Sequence, residues 1–516
     1  MMEMLNLPER AESTTVKSAY GYLVPSILFI LVFAIAARTP LDSDLWWHLR
    51  AGEETIRNGS PYLTDTLSYT RFGEAWINHS WLAQVLFFGL YQLGSLRAIS
   101  AGTAILAAAS IFIVYPQIQA PALLRAFTLV LSSAVASMVW SPRPQIFSLL
   151  FLGFTSYVIF EFQHKKKDRL WLLLPGFILW SNLHGGYVLG FIYIGILVAG
   201  QLIDLALGLE DEDSLTGKKL LKLVLWSAAS GACVAVNPNG AAMWLIPFRT
   251  VGVGVLQQFI SEWASPDFHQ PVQQTFLWLL FLTFGAMGFS GLKPRSTEWL
   301  LVGGFAYLAF LARRNFGPFA LVCAPILGRH LWAALKRYSS RIWVVLPGSK
   351  SLQKYLARYR YVNRSRPNHV LNLLVIGVLA STALLKWWAV TDSDFMAEAQ
   401  KEVFPVGAAD WINSNEPPNQ LFNDYDWGGY LGWTARDYPI FVDGRTDLYH
   451  DEVLREYISV VNAEEGWDEI LSTYQVNTII IKTGSPLSRE ILKRTDWWLA
   501  YQDELADIFI RTAKGR

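Results

Sequence analysis

DSDLWWHLRAGEETIRNGSPYLTDTLSYTRFGEAWINHSW, Asp42–Trp81, is the stretch on which the fold reading turns. It is a polar segment of roughly 40 residues between two apolar ones. Two aspartates lie two positions apart (Asp42, Asp44), followed by Trp46-Trp47-His48 and the acidic pair Glu53-Glu54. The segment closes on Asn78-His79-Ser80-Trp81. A loop this rich in ionisable and aromatic residues, set directly after an apolar run, reads as the rim of a site at a membrane surface.

The rest of the chain supplies the membrane. Of 516 residues, 52% are hydrophobic and 16% charged, and the mean hydropathy is +0.27. A soluble chain would carry about a quarter charged residues. The net charge of +1 comes with no basic stripe outside the membrane-flanking loops, so a nucleic-acid partner is excluded. Cys233 and Cys323 both sit in apolar runs and read as small core residues, neither a disulfide nor a metal pair. The residues before the first apolar block carry both charge signs with no small-residue cleavage site after it, so the first helix is expected to stay in the mature protein.

Apolar spans fall near 19–38, 98–116, 121–140, 144–162, 170–183, 186–207, 220–236, 273–290, 297–312, 316–335 and 370–390, about eleven in all. The segment 80–94 is short for a span and suits an interfacial helix. Basic clusters at His164–Arg169, Lys218-Lys219, Lys293–Arg295 and Lys336–Arg366 then share one side, which the positive-inside rule makes cytoplasmic. The opposite face collects the Asp42 loop, Ser141–Gln145, Asn182–Gly186, Asn237–Gly240, Ser261–Asp267 and Arg313–Asn315. A multi-pass protein of the plasma (inner) membrane is expected, with a cytoplasmic N-terminus.

Beyond about residue 390 the charge rises and turn residues appear. Helices are expected near 405–414, 449–461, 465–474 and 486–494, and strands near 439–443, 477–482, 497–502 and 507–511. This divides the chain into a transmembrane domain, 1–390, with a first outer loop at 39–80, and a small α/β extracytoplasmic domain, 391–516.

Several residues can carry chemistry. Asp42 and Asp44 can hold a divalent cation, or one can act as general base; Asp42 is equally suited to capping the helix that follows. His48 lies one helical turn after Asp44. His79 and His184 share its side of the membrane, without a zinc-ligand spacing. Arg143, Arg313 and Arg314 end spans on that side, where a guanidinium fork matches a lipid phosphate or snorkels to headgroups. Asn423–Gly429 and Asp443–Asp447 are dense in polar residues that turn chemistry also explains, so no catalytic role is assigned to them.

Asp42-x-Asp44-x-Trp46-Trp47-His48-x-x-x-Gly52-Glu53, with Thr64-Asp65 and Asn78-His79-x-Trp81, resembles the GT-C glycosyltransferases, and more narrowly a bacterial group of glycosyltransferase-like membrane proteins. The resemblance extends over most of the chain, including Asn182–Gly186, Glu262-Trp263 and Phe422–Gly429. It implies a GT-C-like polytopic helical fold and an inverting transfer of a sugar from a polyprenyl-phosphate-linked donor to a glycan, lipid or protein acceptor. It also implies Asp44, then Asp42, as the essential carboxylate, with His48, Glu53, His79, Asn182, His184 and Glu262 as sugar or acceptor contacts. Arg143, Arg313 and Arg314 are assigned to the lipid phosphate by position. A divalent cation, Mg or Mn, is used in some branches only, and Asp42 and Asp44 are the residues that would hold one. The chain lacks the Trp-Trp-Asp-Tyr-Gly signature of oligosaccharyltransferases, so transfer to a protein asparagine is not implied. The other classes weighed are a lipid-linked-sugar transporter or flippase and a non-catalytic assembly protein. The first should show inverted repeats and mid-span charges; the second has no use for so many spans.

Overall fold

Helix α1 (Leu23–Ala36) is apolar around its whole circumference, as a membrane-embedded helix must be. In the computed structural model, which describes residues 22–252, 254, 260, 262–345 and 369–512, it leads into the polar stretch and the amphipathic helix α2 (Ser43–Asn58). The side chain of Asp42 caps α2 by accepting from the Asp44 amide at 3.0 Å, and Gly59 ends it in the left-handed conformation. Helix α3 (Trp81–Phe112) breaks at Gly94 and Ser95, so residues 81–93 form a separate rod, the segment expected to lie at the interface. At Gly52, α2 touches the Gln84 backbone so closely that a side chain there would overlap it.

Helices α4 (Ala122–Ala136), α5 (Gln145–His164), α6 (Leu173–Leu183), α7 (Val188–Ala206) and α8 (Gly217–Cys233) follow. The helices Pro271–Phe289, Ser296–Leu311, Phe316–Val345 and His369–Val390 complete the membrane part. Among the described residues, seven helices are long and apolar enough to cross a bilayer, and three shorter apolar ones (Leu23–Ala36, Leu170–Leu183, Ser296–Leu311) join them. The expected span at 220–236 is α8, which is 17 residues long and carries Lys218, Lys219 and Lys222. The chain is a polytopic α-helical membrane protein.

The polar loops sort to the two ends of the bundle. At one end Asn239 Nδ2 donates to the Asn78 carbonyl at 3.2 Å, Asn237 Nδ2 to the Ser181 carbonyl at 2.9 Å, and the Arg314 amide to the Glu262 carbonyl at 3.2 Å. At the other, Arg295 Nε meets Asp211 at 2.8 Å, Gln163 reaches the Asp213 carbonyl at 2.9 Å, and Lys222 pairs with Asp168. Ser261 and the basic run after Val345 lie outside the described residues.

The C-terminal unit carries a four-stranded sheet, β1 (Leu421–Asn423), β2 (Thr478–Lys482), β3 (Trp497–Gln502) and β4 (Ala506–Arg511), ordered β1-β2-β4-β3. Strand β1 runs parallel to β2, and the other pairings are antiparallel. The strand expected at 439–443 does not form; β1 takes its place in the sheet. The Asn423 side chain binds the backbone of Phe441 and Val442, and only Ile440 makes an isolated bridge, to Ser68 of the first loop. This amide side chain and the first loop, through Leu67, Tyr69 and Thr70, thus satisfy the peptide groups that a ladder would have used.

This unit docks on α2. Trp46 packs edge-on against Phe404 and Tyr430, and Gly429 brings the backbone against Ser43, where a Cβ would lie 2.8 Å from its carbonyl oxygen. Asp443 and Arg445, both fully buried, pair with each other, and Arg445 also pairs with Asp65 of the first loop.

Candidate functional site

Asp44 occupies the first turn of α2, placed there by the Asp42 cap. The Ser141-Pro142-Arg143-Pro144 turn between α4 and α5 directs Arg143 at it. Arg143 Nε meets Asp42 Oδ1 at 2.6 Å, and Nη1 meets Asp44 Oδ2 at 3.2 Å and also Glu262 Oε1. One guanidinium therefore gathers three carboxylates from three separate segments. The other oxygen of Asp44 accepts from the Trp47 indole at 3.0 Å.

The electrostatics follow from this crowding. Burial pushes the Asp44 carboxyl up to about 6, with Asp42 adding to the rise and Arg143 opposing it. Burial works against the charge on Arg143, but its three carboxylates outweigh that and hold the guanidinium well above its ordinary range. His48 is buried beside Asp44, 3.4 Å from Gln84 Nε2; burial, with Arg143 nearby, drives its pKa well below the usual value, so the ring is neutral at pH 7.

Asp44 lines a polar cavity of about 140 Å³, together with Trp47, His48, Arg143, Glu262 and, from the C-terminal unit, Tyr425, Gly444, Thr446 and Asp447. His79, Gln145, His184, Trp263 and Arg314 line it too. These same five residues also line an apolar cavity of about 550 Å³ that runs down between α5, α7 and the start of helix Phe316–Val345. That cavity in turn shares Val188, Pro247 and Phe248 with a groove between α7 and α8, where Phe248 is 76% exposed. At the junction of polar and apolar space, Arg314 Cζ lies 4.3 Å over the Trp263 ring. His184 Nδ1 is 2.7 Å from Ser148 Oγ and accepts from the Gly186 amide, and its ring centre lies 5.9 Å from that of His79. Asp447 stands 3.7 Å from His79 Nδ1 and accepts from the Trp76 indole at 3.1 Å. Burial raises the Asp447 carboxyl, and those two contacts more than reverse it, leaving it below the ordinary value.

The sequence-derived residues thus divide. Asp44, His48, His79, Arg143, His184, Glu262 and Arg314 line the polar cavity, and Asp42 adjoins it through Arg143. Glu53 does not line it. Nine residues after Asp44 at 100° per residue is half a turn out of phase, so Glu53 faces the other way and pairs with Arg50 and with Arg436 at 3.0 Å. Asn182 is a strut, accepting from the Trp81 indole at 2.9 Å and donating to the carbonyls of Ile178 and Val236. Arg313 is absent from both linings, and its amide binds the Ala264 carbonyl. Arg143, assigned by position to a phosphate, is instead saturated with carboxylates. Tyr425, Gly444, Thr446 and Asp447 were not assigned to the site; the polar density of Asn423–Gly429 and of Asp443–Asp447 was their sequence signal. No group of three or more His, Cys, Asp or Glu side chains arranged for a metal ion is found among the described residues.

No family model and no curated protein matches the chain. Solved structures do. The Archaeoglobus fulgidus oligosaccharyltransferase AglB, in complex with an inhibitory peptide and a dolichol-phosphate, superposes with a TM-score of 0.57 at 13% identity, over 90% of this chain and 69% of that one. The same organism's oligosaccharyltransferase in complex with Zn and sulfate gives 0.50 at 14%, over 89% and 68%. ArnT from Cupriavidus metallidurans, bound to undecaprenyl phosphate, gives 0.48 at 12%, over 96% and 99%. The chain has the fold of the GT-C membrane glycosyltransferases.

Proposed function

We propose that the chain is an inverting glycosyltransferase that moves a sugar from a polyprenyl-phosphate-linked donor to an acceptor hydroxyl outside the cytoplasm. The observation that carries this reading is the adjacency of two spaces: the polar cavity at Asp44 and an apolar cavity of about 550 Å³ share five lining residues, Arg314 among them. The positive-inside rule supports the side, because Lys222 and Arg295, from the basic loops among the described residues, lie at the end of the bundle away from Asp44.

The isoprenoid tail lies in the apolar cavity and the groove between α7 and α8. Arg314 holds the phosphate at the junction, where a guanidinium over an aromatic ring is fixed in place and desolvated. His79 and His184 flank it, and His48 and Glu262 face the sugar. Tyr425 and Thr446 border the acceptor. Asp44, with a proton affinity near neutrality, takes the acceptor's hydroxyl proton as the acceptor oxygen bonds to C1. The C1–O bond to phosphate breaks on the opposite side, and the electron pair leaves with the polyprenyl phosphate. Asp42 orients Asp44 through the helix cap and Arg143. The guanidinium already fills the centre that Asp42, Asp44 and Glu262 would offer a divalent cation, so no step is routed through a metal. The polar residues of this site lie at one end of the bundle and not at mid-span, which disfavours a transporter.

The test is label transfer by the reconstituted chain from a panel of polyprenyl-phosphate sugars. Asp44→Asn should abolish transfer while donor binding persists; full activity in that variant overturns the reading.

A further inference from the structure

Three carboxylates drawn to one point outside a membrane need a cation there, since like charges this close cannot all ionise unaided. In this chain that cation is part of the polypeptide. We infer that Arg143 serves as a built-in, permanent counter-cation of the site, so that the chain works without a divalent metal ion. The inference rests on the transfer reading for its activity measurements only; its metal-binding measurements stand apart from it.

The geometry makes the case in three ways. First, the guanidinium sits between the very oxygens that a metal would take. Its Nε and Nη1 are spent on Asp42, Asp44 and Glu262, while Asp44's second oxygen is committed to Trp47. Second, Arg143 is held in place: Pro142 and Pro144 flank it and restrict the backbone on both sides. Third, the charge left over suits the chemistry. Three carboxylates against Arg143 and the neighbouring Arg314 still leave the cluster net anionic, which keeps Asp44 basic enough to take a proton. A divalent ion bound to Asp44 would neutralise the cluster and depress that basicity. A guanidinium also cannot lose its proton or be removed by a chelator.

The probe is Mn²⁺, with the full chain in lipid nanodiscs. For the wild type, excess EDTA should leave transfer unchanged within about twofold, and Mn²⁺ should show no saturable binding by electron paramagnetic resonance. Arg143→Ala empties the centre and should create one saturable Mn²⁺ site, weakened at least about tenfold by adding Asp44→Asn. Should the alanine variant fail to fold, Arg143→Lys keeps a positive charge; it should bind no Mn²⁺, and whatever transfer it retains should resist EDTA. Saturable Mn²⁺ binding by the wild type that disappears in Asp44→Asn, or EDTA-sensitive transfer restored by Mn²⁺, overturns the inference. Mn²⁺ exclusion by the wild type without any transfer would count against the proposed activity and leave the inference standing.

Discussion

Arg445 and Asp65, separated by 380 residues in sequence, form an ion pair in which both side chains are fully buried. Asp443 completes the arrangement, with Arg445 Nε 2.9 Å from it, and Tyr449 Oη accepts from Nη2 at 3.1 Å. Removing one member of such a group strands the others without water or counter-charge. Arg445→Met should therefore cost about 3–5 kcal/mol, as for other broken buried pairs. The check is thermal unfolding, together with proteolytic release of the C-terminal unit, which should accelerate.

Gly444 presses against the Asp44 carboxylate, where a Cβ would overlap Asp44 Oδ1 and stand 2.9 Å from Trp47 Nε1. Gly444→Ala should leave the protein folded and cut transfer by about tenfold or more, through misplacement of Asp44. A kinetic split that lowers kcat with donor binding retained would show the effect falling on Asp44.

The pH dependence follows from Asp44. Transfer needs its ionised form, so activity should rise with pH through about 6 and level off above it. Stability should respond in the other direction. A carboxyl whose pKa is higher in the folded chain than in the unfolded one favours the fold most below its unfolded pKa, and that contribution is lost as pH rises through about 6. Asp44→Asn should accordingly unfold at an equal or higher temperature than the wild type at pH 7, while transferring nothing. A pH profile flat from 5 to 8 would remove Asp44 from the role of base.

Arg314 and Glu53 make a contrasting pair. Arg314→Ala should weaken donor binding by about tenfold or more, since a charge-assisted contact to phosphate contributes roughly 1.5–3 kcal/mol. Glu53→Gln breaks a half-exposed pair with Arg436 worth about 1 kcal/mol or less and should leave transfer near wild type. Donor titration of both variants distinguishes a phosphate-binding residue from a docking contact.

Much of this site can be read from the chain alone, and the reasons for the exceptions are physical. The first loop, with Asp42 as cap and Asp44 in the first turn, follows from helix-capping chemistry and local spacing. So does the gathering of His184, Glu262 and Arg314 at the end that bears Asp44, which follows from alternation and loop charge. Local spacing could equally have excluded Glu53, half a turn out of phase with Asp44. Arg143 is different: an arginine at a span's end looks alike whether it meets a phosphate or a carboxylate, and only the fold shows Asp42 and Glu262 waiting for it. The strand expected at 439–443 has the composition of a strand, but the Asn423 side chain and the distant first loop satisfy its peptide groups, which no periodicity reveals. Gly444 and Asp447 were hidden for the same reason as Arg445: their partners lie in the first loop, nearly 400 residues away by order of magnitude.

That distance has a consequence for biosynthesis. The ribosome makes α2 among the first elements and Arg445 among the last, so Asp65 and the indole of Trp46 are made before anything exists to cover them. Until the closing portion of the chain emerges and settles onto α2, the cavity has no far wall. The wall that Tyr425, Gly444, Thr446 and Asp447 give the cavity is therefore laid down last, and the enclosure at Asp44 closes only with the final quarter of the chain.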